Sequence, residues 1–405
     1  MRIAVVSPFL DRRHGTERCI VEQIERFLKE PDCEIHVYSQ SIQDFEVVPF
    51  KASSPLTPPS RKAIWHRIPS LPGPHLFNFL WWYFANQALR WIQRNFHSLR
   101  FDLVFSPGIN CSDADAIVVH IVFHEYFRLV RDELRLRGAP LSSWPILIHR
   151  ILYYRLIMAL ENRIYRNPKV SLAAVSQLTA REITAHFGRQ DVTVIPNAVD
   201  LARFNLPERL RRRAQVRQAL QIADSEFVLL LVGNDWKKKG LATLLSAAAA
   251  NRRLPLRVLV VGRDDRTPFL AQIQKLDLQG RVFFPEPSLD VMQFYAAADV
   301  YAGPSLHDSF ALPPIEAMAS GLSVITSASN GGSQIITDGL DGFVLQKWDD
   351  TAELSRILCS LYEQSELRRS IGESAAHTVK SYTWERNARE TFAFLLQARD
   401  HQRRK

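Results

Sequence analysis

Cysteine is scarce here. Cys19, Cys33, Cys111 and Cys359 are the four in 405 residues, widely scattered and without CxxC spacing. That gives neither a disulfide framework nor a zinc cage, and fits reduced thiols in a cytosolic protein. No uninterrupted apolar run reaches the roughly 20 residues of a membrane span. The opening MRIAVVSPFLDRR is too short in its apolar part for a signal peptide and lacks a small-residue cleavage site, so it reads as a buried first strand. GxxxxGK[ST] and GxGxxG are both absent, which removes the usual support for ATP hydrolysis and for dinucleotide binding. There is no short repeat, low-complexity tract or heptad pattern. Residues 51–100 contain no acid at all.

What remains is an ordinary globular composition, 46% apolar and 23% charged, in a chain too long for one compact core. The net charge of +9 points first to nucleic acid, but its distribution argues against that partner. The acid-free stretch holds Lys51, Arg61, Lys62, Arg67, Arg90, Arg94 and Arg100, interleaved with aromatics from Trp65 to Phe96. Cations among amphipathic rings suit the headgroup layer of an anionic membrane, reached through residues 61–96. A core helix with a basic solvent face fits the same pattern equally well.

Short apolar runs alternate with longer amphipathic segments, the signature of an α/β chain. A first series of strands is expected at 2–8, 34–40, 101–107, 115–121, 170–176 and 192–197. A second is expected at 227–233, 256–262, 281–286, 300–305 and 322–328. The runs are nearly all apolar, as parallel strands covered on both faces require. Two βα series imply two domains with a boundary near Pro196-Asn197-Ala198. Ligands of open parallel sheets bind beyond the carboxyl ends of the strands. Those ends carry RRHGTER (12–18), His120, GNDWKKKG (233–240), GRDD (262–265) and HDSFALPP (307–314).

Two of these turns hold the informative chemistry. GNDWKKKG leads into LATLLSAAAA, so Lys238 and Lys239 stand near a helix start whose dipole already favours anions. A bound diphosphate, accepting from helix N–H groups and pairing with both ammonium groups, resolves that conflict; a solvated lysine run is the plainer alternative. In HDSFALPPIEAMASG, Asp308 precedes a helix expected to begin near Pro314, and Glu316 falls in its first turn. Open N–H groups there suit phosphate oxygens, and acids eight positions apart suit two sets of vicinal hydroxyls, a ribose and a hexose. The alternative is a capped helix with solvated carboxylates.

These stretches, with AVSQLTARE, VIPNAVDLARF, AAADVYAGPSLHDSFALPPIEAMASGLSVITS and GGSQIITDGLDGFVL, resemble the family 4 retaining glycosyltransferases over nearly the whole chain. VGNDWKKKG looks most like the lipopolysaccharide-core α-glucosyltransferases. The resemblance implies a GT-B fold, two Rossmann-like domains facing across a cleft: 1–192 for the acceptor, joined by a C-terminal helix 384–405, and 193–383 for a nucleotide-sugar donor. It implies transfer of a hexose from a nucleotide diphosphate sugar, UDP-linked, to a glycan or lipid-linked glycan, with no cofactor and no metal. The enzyme would work in the cytoplasm or peripherally on the inner face of the cytoplasmic membrane.

Carried over residue by residue, the resemblance gives Glu316 the nucleotide ribose and Asp308, where the family usually has Glu, the donor sugar. Phe310, Ala311 and Leu312 fall in the backbone cradle for the distal phosphate and sugar, with Ala311 at a usual glycine. Lys239 matches the phosphate-binding lysine. Asn234 replaces the usual arginine, which passes the second charge to Lys238. Gly15 matches the second glycine of the N-terminal loop, and His14 replaces the first. His120, ending a strand, matches a histidine beside the reacting sugar; His124 is its rival. Catalysis thus falls to His120, Asp308 and Lys239. A non-catalytic nucleotide-sugar-binding scaffold and a GT-B epimerase are the alternative functions.

Overall fold

The structure, a computed structural model, describes residues 1–50, 62–134 and 140–404. The chain folds as two compact units, 1–195 with 385–405, and 196–384. The division falls three residues beyond the expected 192/193, because Ile195 still donates its N–H to the Ala174 carbonyl of the first unit at 2.9 Å. At the other end Trp384 stays with the second unit, and the chain from Glu385 onward belongs to the first.

The first unit carries strands β1 (Arg2–Val6), β2 (Phe9–Leu10), β3 (Glu34–Ser39), β4 (Ser41–Ile42), β5 (Val47–Pro49), β6 (Ala63–Arg67), β7 (Leu103–Ser106), β8 (Ala116–Val119), β9 (Ser171–Ala174) and β10 (Val192–Val194). Its helices are α1 (Gly15–Phe27), α2 (His75–Phe96), α3 (Phe123–Val130), α4 (Trp144–Tyr165) and α5 (Gln177–Phe187). β2 pairs with β4; the other eight strands form one parallel sheet in the order β10-β9-β8-β7-β1-β3-β6-β5. The strand order reverses between β1 and β7, the topological switch point of the sheet. β2, β4, β5 and β6 have no counterpart among the strands expected from sequence. They are short, and β6 buries a histidine where the pattern calls for an apolar residue.

That histidine is satisfied by a chain of hydrogen bonds running one way. Gln93 Nε2, which only donates, meets His66 Nδ1 at 2.8 Å. His66 Nε2–H therefore donates to His36 Nδ1 at 2.8 Å, and His36 Nε2–H donates to Glu34 at 2.7 Å. Burial, with His36 and Arg90 adding to it, pushes the His66 imidazole down to about 2.

α2 is inside out. Its sheet-facing side holds Trp82 and Tyr83 but also Asn86, Arg90 and Gln93, all buried. Arg90 is neutralised by Asp113 at 2.6 Å. The outward side shows Phe77, Phe84 and Phe96, each more than 60% exposed, with Trp81, Trp91 and Ile92. The basic stretch read from sequence is thinner in the structure: Lys62 pairs with Glu46 at 2.8 Å, Arg90 is buried, and Lys51 and Arg61 lie outside the described residues. Among the described residues no helix is long and apolar enough to cross a membrane.

The second unit opens with α6 (Leu206–Ala219), capped by the Asn205 side chain on the Glu208 N–H at 2.9 Å. It continues with β11 (Phe227–Val232), α7 (Leu241–Ala250), β12 (Leu256–Val261), α8 (Thr267–Lys275), β13 (Val282–Phe283), α9 (Met292–Ala297), β14 (Val300–Gly303), α10 (Leu312–Ala319), β15 (Ser323–Ser327), β16 (Phe343–Leu345), α11 (Thr351–Glu363) and α12 (Ser365–Thr378). Its parallel sheet runs β13-β12-β11-β14-β15-β16, with the order reversing between β11 and β14. Leu229, Leu231, Val258 and Val260 are fully buried, each contributing about 1.5–3 kcal/mol by leaving water. The last helix, α13 (Trp384–Arg403), lies on α1 of the first unit, where Gln23 Nε2 donates to Asn387 Oδ1 at 2.9 Å.

Candidate functional site

The switch point of the second sheet brings together the loops that follow β11 and β14, and those loops are residues 233–240 and 304–311. They are fitted to each other through glycine. Gly240 caps α7 at φ +82, and a Cβ there would lie 2.0 Å from the Pro304 carbonyl oxygen. Gly262, at φ +149, leaves the same kind of room for the Gly233 carbonyl of the neighbouring loop, 2.1 Å from where its Cβ would be. Hydrogen bonds complete the union: Leu306 N–H to the Lys238 carbonyl at 2.7 Å, and Trp236 N–H to the Asp264 carboxylate of the loop after β12 at 2.6 Å. Trp236 anchors the assembly, its ring buried against Phe269 and Phe284.

On this frame Lys239 Nζ forms an ion pair with Asp308 Oδ2, both side chains largely shielded from solvent. Lys238 pairs with Asp235 at 2.5 Å. The conflict expected between the lysines and the α7 dipole does not arise, because the helix begins after Gly240 and each ammonium has an acid of its own. Asn234 accepts the Arg263 N–H at 2.8 Å, so its side chain braces the loop.

α10 starts at Leu312 with Ala311 as its cap, two residues before the expected Pro314, which places Glu316 in the second turn and not the first. Pro313 and Pro314 have no N–H to offer, and the Ala311 N–H goes to Asn330 Oδ1 at 3.3 Å. Of the donors expected at this helix start, the Leu312 N–H remains. Glu316 is 5% exposed and accepts the Tyr295 hydroxyl at 2.8 Å, which removes the solvated-carboxylate alternative. Burial raises the Tyr301 hydroxyl well above its ordinary range, and the nearby Asp308 and Glu316 add to the shift. Phe310 is buried, with its carbonyl 3.4 Å from Asn197 Nδ2.

Two partners of this site escaped the sequence reading. Asn330 is fully buried; it accepts the Gly332 N–H at 2.9 Å, while Gly331 N–H reaches the Asp308 carbonyl at 2.7 Å. Tyr295 orients Glu316 from α9. The Asn-Gly-Gly of 330–332 was the available signal for the first; Tyr295 sits in an apolar helix and gave none.

Gly15, His14 and His120 belong to the first unit. Gly15 opens α1, and the His14 ring before it is held by Asp11 at 2.8 Å. The two rival histidines differ. His124 Nδ1 meets the fully buried Glu161 at 2.6 Å and its Nε2 meets Asn162 at 3.1 Å. His120 follows the last residue of β8, and its Nε2 is buried without a hydrogen-bond partner. Burial pushes its imidazole down to about 4. Among the described residues no three His, Cys, Asp or Glu side chains gather in a group that would hold a metal.

Residues 13–203 match the family model "Glycosyltransferase Family 4", and residues 212–378 match "Glycosyl transferases group 1". A D-inositol 3-phosphate glycosyltransferase of Nocardia farcinica is 33% identical over 225 residues, 52% of this chain and 48% of that protein. The chain thus spans about half the length of the curated relatives it matches. Among solved structures, WaaG, a glycosyltransferase involved in lipopolysaccharide biosynthesis, superposes with a TM-score of 0.74 at 21% identity, covering 97% of this chain and 99% of that one. Alr3699/HepE of Anabaena, in complex with UDP and glucose, gives a TM-score of 0.68 at 18% identity over 98% and 99% of the two chains. The fold is that of the GT-B glycosyltransferases.

Proposed function

Since the chain belongs to the family 4 glycosyltransferases, we propose that it moves a hexose from a UDP-linked donor to a glycan or lipid-linked glycan, with retention at the anomeric carbon. The observation that carries this reading is the Lys239–Asp308 pair at the switch point of the second sheet, beside the buried Glu316. In the reading, a donor diphosphate takes the Lys239 ammonium away from Asp308, and the released carboxylate receives sugar hydroxyls. Glu316, already oriented by Tyr295, accepts the ribose hydroxyls. Lys239, the Leu312 N–H and the α10 dipole then stabilise the departing diphosphate, and cationic side chains take the place of a metal. The leaving phosphate oxygen receives the acceptor's proton on the face the donor left. His120 is assigned to the reacting sugar because its Nε2 has no partner while both His124 nitrogens are occupied. The test is turnover of UDP-glucose and a panel of other nucleotide sugars in wild type and Lys239→Ala, with UDP affinity measured by calorimetry. Turnover unchanged by the substitution would remove the assignment.

For the place of work, the support comes from the first unit. The outward side of α2 presents aromatics to water, Arg94 is exposed on the same helix, and Arg67 is exposed at the end of β6. We assign this side to the surface of an anionic membrane on the cytoplasmic side, with rings in the headgroup layer and arginines near lipid phosphates. Vesicle flotation tests it: binding should require anionic lipid and weaken with salt, and a protein that stays in solution at low salt refutes it.

A further inference from the structure

The second unit has another concave site, which shares no lining residue with the Lys239–Asp308 loops. Between α6 and α12 lies a cavity of about 310 Å³, its wall including Leu206, Arg209, Arg213, Asp299, Arg368 and Arg369. The acids in this wall are already engaged. Asp299 meets Arg213 at 2.6 Å and Arg217 at 3.3 Å, and it also accepts the Val228 N–H at 2.8 Å. Glu366 and Glu373 are bridged by Arg369 at 2.6 and 3.1 Å. Among the described residues this leaves Arg209 and Arg368 without a carboxylate.

Arg209 is the more exacting case. It makes one long bond, Nη1 to the Ala298 carbonyl at 3.3 Å, and its Nε is buried with no acceptor. Burial, with Arg213 and Arg368 close by, pushes the guanidinium down to about 10. Arg368 reaches the carbonyls of Leu361 and Tyr362 and lies 5.2 Å over the Phe227 ring. A half-buried guanidinium among like charges and without a carboxylate is unfavourable unless an anion on its cavity side completes it. Arginine forks match phosphate oxygens in geometry and charge. Leu206 and Leu210 give the cavity an apolar side, and its volume exceeds what a bare phosphate fills.

We propose that the α6–α12 cavity is an anion subsite for a small phosphomonoester, separate from the nucleotide-sugar site. The phosphate would be held by Arg209 and Arg368, with the carbon skeleton against Leu206 and Leu210. The test titrates glycerol 3-phosphate and inorganic phosphate calorimetrically into the full chain carrying Lys239→Ala, so that the ammonium of the other site cannot supply the signal. Arg209→Gln and Arg368→Gln are then added separately to that background. Binding should persist in Lys239→Ala and weaken by at least about tenfold with either glutamine. Tighter binding of glycerol 3-phosphate than of phosphate identifies a phosphomonoester; equal binding identifies free phosphate in the same subsite. Absence of binding, or binding that both glutamine variants leave intact, overturns the proposal. If Arg209→Gln does not melt cooperatively, Arg368→Gln decides.

Discussion

The two sheets use their carboxyl ends differently. In the second unit one glycine approach locks the two switch-point loops together, a second ties them to the loop after β12, and their charges are matched, lysine to aspartate. In the first unit the corresponding ground holds imidazoles, His14 clasped by Asp11 and His120 with an orphan nitrogen, while α2 turns its aromatic side to water. A ligand of fixed charge and shape, such as a nucleotide diphosphate, rewards a rigid, pre-charged frame. An acceptor offered at a lipid surface rewards neutral groups and an exposed apolar face. The contrast predicts that substitutions in the second unit change chemistry and binding steeply, whereas those in the first change pH response and location.

The largest effect is expected at Lys239. Lys239→Ala should lower turnover by about 100- to 1,000-fold, roughly 3–4 kcal/mol of leaving-group stabilisation, in a steady-state assay with UDP-glucose. A smaller loss in that variant than in His120→Ala would invert the comparison.

Acid should act on the first unit. The folded His66 sits at about 2 against an ordinary 6.5, so the unfolded chain takes up the proton first. Above pH 6.5 both states are neutral there and the group contributes nothing. As pH falls below 6.5 stability is lost, by about 2 kcal/mol at pH 5 from this one residue. Urea midpoints at pH 7.5 and 5.0 check this, with His66→Gln as the reference chain. An equal pH response in both chains would clear His66.

Glu316→Gln keeps the shape of a buried side chain but removes its charge. Affinity for UDP should fall by about 1–2 kcal/mol in calorimetry, and Tyr295→Phe, which frees Glu316 to rotate, should cost less. Equal losses would mean that orientation matters as much as charge.

The smallest effect on stability is expected at Trp91, which is 61% exposed. Trp91→Ser should change the unfolding free energy, from urea titration, by no more than about 0.5 kcal/mol while weakening vesicle binding. Substituting Trp82, which is 2% exposed, should instead destabilise by roughly 3–5 kcal/mol.

Much of this was legible in the sequence, for physical reasons. Continuous apolar runs such as FVLLLV suit covered parallel strands, and the polar turns after them fall at the carboxyl edge where ligands of such sheets bind. Lys239 and Asp308 stood in those turns, and Glu316 in the helix that follows the second of them. The partners that orient them did not, because Asn330 and Tyr295 come from other elements and are joined to the site by the fold. The sense of α2 was hidden for a related reason. Asn86, Arg90 and Gln93 look like a solvent face until Asp113 and His66 are brought beneath them, and only then is the aromatic side left outside.

The glycine approaches bear on how such a site changes over time. With Gly240 beneath the Pro304 carbonyl and Gly262 beneath that of Gly233, three loops share one set of clearances. An inserted residue in any of them would displace the other two. Drift in donor preference is therefore expected through exchange of rim side chains such as Asn234, Arg263 and His307, at constant loop length. Among the described residues no glycine approach of this kind involves α2, so its outward side is expected to vary more readily in composition.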